Sequence, residues 1–298
     1  EPFADNSILP SYYVARFARQ GVSVALTGDG GDEAFGGYRR HLHMLRIETL
    51  ERYGLLQLWG GLRRATVALE NRLKSADRQR IFPHTVADQM LALSGAERFR
   101  HLVAYFPEPE KAGLLSADFG RAVVEDSLAP LAAAWQRSKA GKDALNRWLY
   151  VDTMTYMPDD ILAKVDIASM AVSLECRSPF LDHRVIEFAA SLPGSYKLTH
   201  RGRGKHILKS AFADWFPPGF LDRKKMGFSA PTARWLREDM QPLLRENLLG
   251  SGVLREWTNQ ATVRNLVETH LSGQQSQAKR LWSLLCLAIW AERFGVTP

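Results

Sequence analysis

Residues 7–20 place Val14, Phe17 and Ala18 on one face at helical spacing, and Gly21 follows where a helix can close in a left-handed turn. The pattern predicts a helix over 7–20 that leads into a strand over 22–26, where the β-branched Val22 and Val24 take over. A helix followed by a strand is a unit of an α/β sheet. After Gly36-Gly37-Tyr38, strand patterns become scarce and helix-period segments dominate, as over 42–69 and 144–157. The expected fold class is therefore mainly α with a small α/β portion. One or two strands do not complete an open sheet, so the sheet is expected to be finished by residues outside this chain or by a second chain.

Three segments are expected: residues 1–40 as the end of an α/β nucleotide-binding sheet, 41–145 as a variable helical segment, and 146–298 as a helical lobe. From Glu48 to Asn146 no chemical motif stands out, and the charges read as the solvated side of amphipathic helices. Met157-Pro158-Asp159-Asp160 reads as a helix start, with Ile161, Leu162, Val165, Ala168 and Val172 as its apolar stripe. Asp160 and Lys164 are spaced to pair, and Asp159 and Asp166 share a face. A packed helix with an ordinary polar side accounts for this pattern without any chemistry. Glu175 and Arg177 alternate as in an extended segment and read first as a loop-fixing pair. Asp182 reads as the N-cap of an apolar helix over 185–192, which Pro193-Gly194 closes. The apolar stretch 281–290 is expected to be a buried helix.

Composition narrows the class. The 298 residues, 46% of them hydrophobic, are enough for a globular core, and no apolar run is long enough to span a membrane. Two cysteines, Cys176 and Cys286, make no disulfide framework and have no metal-ligand spacing, which points to a cytoplasmic location. The net charge of +7 raises nucleic acid as a partner, but the basic residues are dispersed and no nucleic-acid module accompanies them. Denser basic spots at Arg39-Arg40-His41, 201–206 and Arg223-Lys224-Lys225 suit a phosphate-bearing small molecule equally well.

The densest chemistry is Thr27-Gly28-Asp29-Gly30-Gly31-Asp32-Glu33, directly after the predicted strand. Glycines permit φ > 0 in such a turn, and amides at the following helix start can face an anion. Asp29, Asp32 and Glu33 could hold a hard cation such as Mg²⁺. A plain connection between elements remains the alternative. The run is neither a Walker A loop nor a dinucleotide fingerprint, whose spacings are missing. Lys205 follows Gly202 and Gly204 and is expected in the first turn of an amphipathic helix whose apolar face is Ile207, Leu208, Ala211, Phe212 and Trp215. A cation there opposes the helix dipole unless it reaches a phosphate, with Lys209 one turn further on the same face. Lys225 lies in a basic segment, 223–228, readable as a ligand-closing loop or as a solvated turn.

Taken in order, these motifs resemble the synthetase domain of the asparagine synthetase family, the glutamine-hydrolysing bacterial type. The resemblance rests on Leu26 to Glu33 with Phe35-Gly36-Gly37-Tyr38, then Asp166 to Ala171, Glu175 to Asp182, Arg203-Gly204-Lys205 and Lys225-Met226-Gly227-Phe228. It implies the C-terminal part of an adenine nucleotide alpha-hydrolase-like ATP pyrophosphatase domain. The implied reaction uses ATP and Mg²⁺ to activate aspartate as a β-aspartyl-AMP intermediate, which ammonia from glutamine converts to asparagine. By resemblance Thr27, Gly28, Gly30 and Gly31 bind the nucleotide, Asp32 belongs to the Mg²⁺-pyrophosphate side, Lys205 steadies the α-phosphate and Asp29 completes the intermediate's site. Asp166, Glu175, Arg177 and Lys225 are supporting residues. Asp29 in place of the tyrosine of β-lactam synthetases favours free ammonia as nucleophile.

Thr27, Ile167, Cys176 and Ser178 depart from the residues usual in the family, which leaves the acceptor carboxylate open. The family's Ser-Gly-Gly-x-Asp-Ser pyrophosphate loop and its glutaminase domain are absent from the sequence, which opens Glu1-Pro2. The chain is accordingly expected to be the C-terminal part of a longer enzyme and inactive alone. A non-catalytic remnant that binds a complete synthetase is the second expectation. Neither a nucleic acid nor a membrane is expected as a partner, and a homodimer is left open.

Overall fold

The computed structural model describes residues 1–56, 58, 60–61, 93–123, 126–141, 143–223, 227–250 and 252–296. Helix α1 (Ile8–Arg19) leads into strand β1 (Val24–Leu26), a glycine turn and the short helix α2 (Gly31–Phe35). Helices α3 (Arg39–Arg52), α4 (Gly95–Val103), α5 (Ala129–Ser138) and α6 (Ala144–Met154) follow. A π-helical turn, Met157–Leu162, runs into α7 (Ala163–Met170), and strand β2 (Glu175–Arg177) comes next. Then come α8 (His183–Ser191), α9 (His206–Ala211), α10 (Gln241–Leu249), α11 (Gln260–Leu271) and α12 (Ala278–Arg293), with shorter turns between. The molecule is thus mainly helical with a small parallel sheet, as the sequence predicts.

The two strands pair in parallel, Val24 with Glu175, Ala25 with Cys176 and Leu26 with Arg177. Thr27 N–H extends the ladder to the Arg177 carbonyl at 2.8 Å, so both strands deliver their C-terminal ends to one place. Helix α1 packs along α7, but with Ala15 inward. Val14 and Phe17, the expected apolar face of α1, are exposed, Phe17 at 77%. They join Tyr13, Val22, Val24, Leu26 (76%), Ile167 and Met170 among the exposed apolar side chains. Close approach of α1 to α7 favours the small residue, which leaves the large ones turned away. A parallel sheet ordinarily has both faces covered, so this one is short of cover among the described residues.

Two cores carry most of the packing. Around the α3–α6 group, Met44, Ile47, Phe99, Ala134, Trp148 and Val151 are buried together, with Trp148 stacked on Trp135 at 4.1 Å between centroids. In the C-terminal bundle, Leu244, Leu248, Val263, Val267, Leu281, Leu285 and Ala288 interlock. The expected apolar helix over 281–290 is therefore the spine of this bundle, within α12. Two local expectations are corrected. The predicted helix over 144–157 stops at Met154, and the following segment is π-helical rather than a fresh α-helix start. Asp160 does not pair with Lys164, because Lys164 reaches Asp5 at 3.0 Å and Asp160 instead engages Tyr156. The predicted helix over 42–69 begins at Arg39 and its later part falls outside the described residues.

Candidate active site

Beyond β1 the chain turns on Gly30, whose φ of +81° suits glycine, and α2 begins at Gly31. Leu181 and Phe180 close over Gly30 and Gly31, so a Cβ at Gly30 would lie 3.0 Å from Leu181 Cγ. Ser178, just past β2, donates its hydroxyl to the Asp29 carbonyl and ties the turn to the second strand end. Gly36, with φ of +71°, ends α2. This geometry sets Thr27, Gly28, Asp29, Gly30, Gly31 and Asp32 around one strand end, where open α/β sheets take ligands.

Lys205 meets this turn from the other side. Its Nζ lies 3.2 Å from Asp32 Oδ1, and its N–H donates to the Phe35 carbonyl at 3.1 Å. Lys205 is not in the first turn of α9, as the sequence suggests, but is its N-cap residue, in the left-handed region at φ +52°. A non-glycine residue in that region is strained and persists only where the surroundings hold it, here through the bond to α2. The helix-dipole conflict is resolved by Asp32, which supplies the negative charge. Lys209 is drawn away from Lys205 to Asp222 at 3.3 Å, and Arg203 forms a two-pronged contact with the same carboxylate at 3.1 Å. These cations hold the Asp222 carboxyl below its ordinary range. Only Ile207 and Leu208 of the expected α9 face pack inward, whereas Trp215 lies outside the helix and is 77% exposed.

Glu33 departs from its expected role. It is 1% exposed, faces inward and accepts a hydrogen bond from the Tyr38 hydroxyl. Burial raises its pKa, against the opposing effect of Tyr38. Asp29 and Asp32 remain as candidate metal-facing carboxylates of the turn, and among the described residues no cluster of three His, Cys, Asp or Glu forms a metal cage.

The supporting residues divide. Glu175 and Arg177 form an ion pair at 2.7 Å, 54% and 65% exposed, on the outer face of β2. Asp166 is exposed on α7, and its carbonyl accepts from Ser169 Oγ at 3.5 Å. Lys225 lies outside the described residues. Asp182 caps α8 through the Arg184 N–H, as expected, and its carboxyl is held well below the usual range by Arg184.

Sequence reasoning missed the support beneath the turn. Arg40, read there as part of a basic spot, points inward between the rings of Tyr38 and Tyr156, at 3.9 and 4.3 Å from their centroids. It binds Asp152 at 2.7 and 3.3 Å, and the buried His41 shares that carboxylate. Arg40, Met44 and Ile47 recur at helical spacing, a signal that this face of α3 turns inward. Asp152 holds both Arg40 and His41 from α6, and Tyr38 in turn anchors Glu33.

The strand-end turn brings a carboxylate and an answering lysine together beside the start of α2. The chain belongs to the asparagine synthase family, whose profile its residues 1–292 match. It is 29% identical to asparagine synthetase [glutamine-hydrolyzing] 1 of Bacillus subtilis, over 97% of this chain and 43% of that protein. It is 31% identical to the putative asparagine synthetase [glutamine-hydrolyzing] of Mycobacterium bovis, over 97% of this chain and 42% of that one. The amidase chyE of Penicillium rubens is 25% identical over 94% of this chain and 43% of its own length. The chain thus spans less than half the length of these curated relatives, matching their C-terminal part. Among the described residues no helix is long and apolar enough to cross a membrane.

Proposed function

We propose that this chain forms the phosphate-facing part of a glutamine-hydrolysing, ATP-dependent amidating ligase that converts aspartate to asparagine. The observation that carries the reading is the Asp32–Lys205 pair at 3.2 Å, set at a glycine turn on parallel strand ends. Thr27, Gly28, Gly30 and Gly31 shape the turn that takes the nucleotide in an adenine nucleotide alpha-hydrolase-like site. Lys205 stabilises charge that grows on the α-phosphate as the acceptor carboxylate attacks it and pyrophosphate leaves. In this reading Asp29 takes a proton from ammonia as it adds to the acyl carbon of the resulting β-aspartyl-AMP and AMP departs.

A nucleotide-borne Mg²⁺ takes most of its ligands from phosphates and water and needs only one or two protein carboxylates, which suits the donor set of Asp32 and Asp29. When bound, the ion neutralises the pyrophosphate leaving group. The exposed apolar side of β1 and α1, together with the greater length of the relatives, supports an upstream half that covers the sheet, completes the adenine pocket and supplies ammonia. Segment boundaries near residues 40 and 145 follow from the same reading, as does a cytoplasmic setting. Amidation of another carboxylic acid is the second reading, favoured by the departures from the family's usual residues at Thr27, Ile167, Cys176 and Ser178.

Mg²⁺-dependent pyrophosphate release from ATP, aspartate and ammonium tests this in a polypeptide that joins the chain to its upstream half. Activity is expected there and not in the chain alone, and Lys205→Ala is expected to cost about 10²–10³-fold, as for other groups that stabilise transition-state charge. Absence of aspartate-dependent release in the joined polypeptide would refute the asparagine reading.

A further inference from the structure

We propose that Gly37 is a positioning residue of this site: having no Cβ, it lets the Asp32 carboxylate and the Lys205 stem lie across it and so sets their mutual placement. The inference rests on the roles proposed above for Asp32 and Lys205. Two neighbouring glycines, Gly30 and Gly36, have φ of +81° and +71°, where glycine is needed for the backbone itself. Gly37 has no such conformation, so an alanine there meets no backbone strain.

What excludes a side chain is the pair. A Cβ at Gly37 would collide with Asp32 Oδ1 and lie 2.7 Å from Asp32 Cγ and 2.6 Å from Lys205 Cε. The nearest atoms all belong to those two side chains. Gly204 differs, because a Cβ there would lie 2.5 Å from the Gly36 carbonyl oxygen and 3.3 Å from Gly37 Cα, both main-chain atoms. One glycine therefore lets two backbone segments touch, and the other makes room for the charged pair.

The main chain cannot easily yield at Gly37. Its N–H donates to the Asp32 carbonyl at 2.9 Å, while Lys205 is pinned to the Phe35 carbonyl at 3.1 Å. Flexible side-chain ends must therefore move instead. Relief of a 2.6 Å approach to ordinary carbon contact, about 3.5–4.0 Å, takes roughly 1 Å. A displacement of that size at a reacting group can cost about 10²-fold in rate.

The test compares Gly37→Ala, Lys205→Ala and the double variant in the polypeptide with its upstream half, by crystal structure and pyrophosphate release. Gly37→Ala is expected to fold, to separate Lys205 Nζ and Asp32 Oδ1 beyond the about 4 Å limit of an ion pair, and to lower kcat by about 10–100-fold. Added to Lys205→Ala it should cost less than about 2-fold more, since groups that act as a unit are non-additive; a merely structural defect would cost the same in both backgrounds. If the wild type releases no pyrophosphate, the proposed function fails, and the crystal structure still decides the placement. A Gly37→Ala variant with the pair intact overturns the inference, as does full additivity. Should Gly37→Ala not fold, adding both Asp32→Ala and Lys205→Ala removes the colliding atoms: recovered folding supports the inference and continued failure overturns it.

Discussion

Replacement of Lys197 by methionine should change how stability depends on pH, and the structure gives the size of the effect. Lys197 ends a short helical turn, Gly194–Lys197, and is 1% exposed. Its Nζ donates to Asn146 Oδ1 at 2.6 Å, and Asn146 Nδ2 donates to the Leu192 carbonyl at 2.9 Å. Burial pulls the Lys197 pKa down to about 8, against the opposing pull of Asp143, which caps α6. The unfolded chain keeps its proton to about pH 10.4. The folded state therefore releases its proton first. Below pH 8 both states are charged and the cost of the buried ammonium is fully present. Between about pH 8 and 10.4 the unfolded state binds more protons, so stability rises with pH. At about 1.36 kcal/mol per pH unit, this interval amounts to roughly 3 kcal/mol.

Lys197→Met removes the charge and also deprives Asn146 Oδ1 of its donor, a loss of about 1–3 kcal/mol. The net change at neutral pH is thus the difference of two similar quantities. The pH dependence is free of that cancellation. Urea unfolding of wild type and variant from pH 7 to 10.5 should show the wild type gaining roughly 3 kcal/mol relative to Lys197→Met. A difference that stays constant across this range would refute the reasoning, since a lysine with an ordinary pKa contributes no such slope.

Other substitutions probe the support of the site and the core. Asp152→Ala leaves Arg40 with no carboxylate from α6 while it stays wedged between Tyr38 and Tyr156, and should destabilise by about 3–5 kcal/mol in denaturant titration. Trp148→Ala opens a void against Phe99 and Trp135 and should cost about 3–5 kcal/mol by the same assay. Tyr38→Phe removes a hydroxyl donor from the buried Glu33 carboxylate and should cost about 1–3 kcal/mol, less at a pH low enough to protonate Glu33. Arg177→Ala breaks a largely exposed pair with Glu175 and should shift stability by less than about 1 kcal/mol, so a large loss of pyrophosphate release in that variant would place Arg177 at the ligand instead of in the scaffold.

The sequence by itself determined the local parts of this protein. Apolar spacing located α8 and α12, and marked the extent of α1 but not its buried face; the change of period located β1; the glycines and acids of 27–33 marked the turn. These are short-range consequences of backbone sterics and side-chain periodicity, which neighbouring residues suffice to specify. The tertiary structure alone decided which charges face inward and which meet. Glu33 and Asp32 are adjacent in the chain, yet one is buried under Tyr38 and the other reaches Lys205. Arg39 and Arg40 look alike in sequence, and only Arg40 enters the core to meet Asp152 on another helix. Such pairings depend on how distant elements pack, because the cost of burying a charge is offset only by partners that folding brings to it. The left-handed Lys205 belongs to the same class: local preference argues against that backbone, and its bond to Phe35 across the fold holds it there.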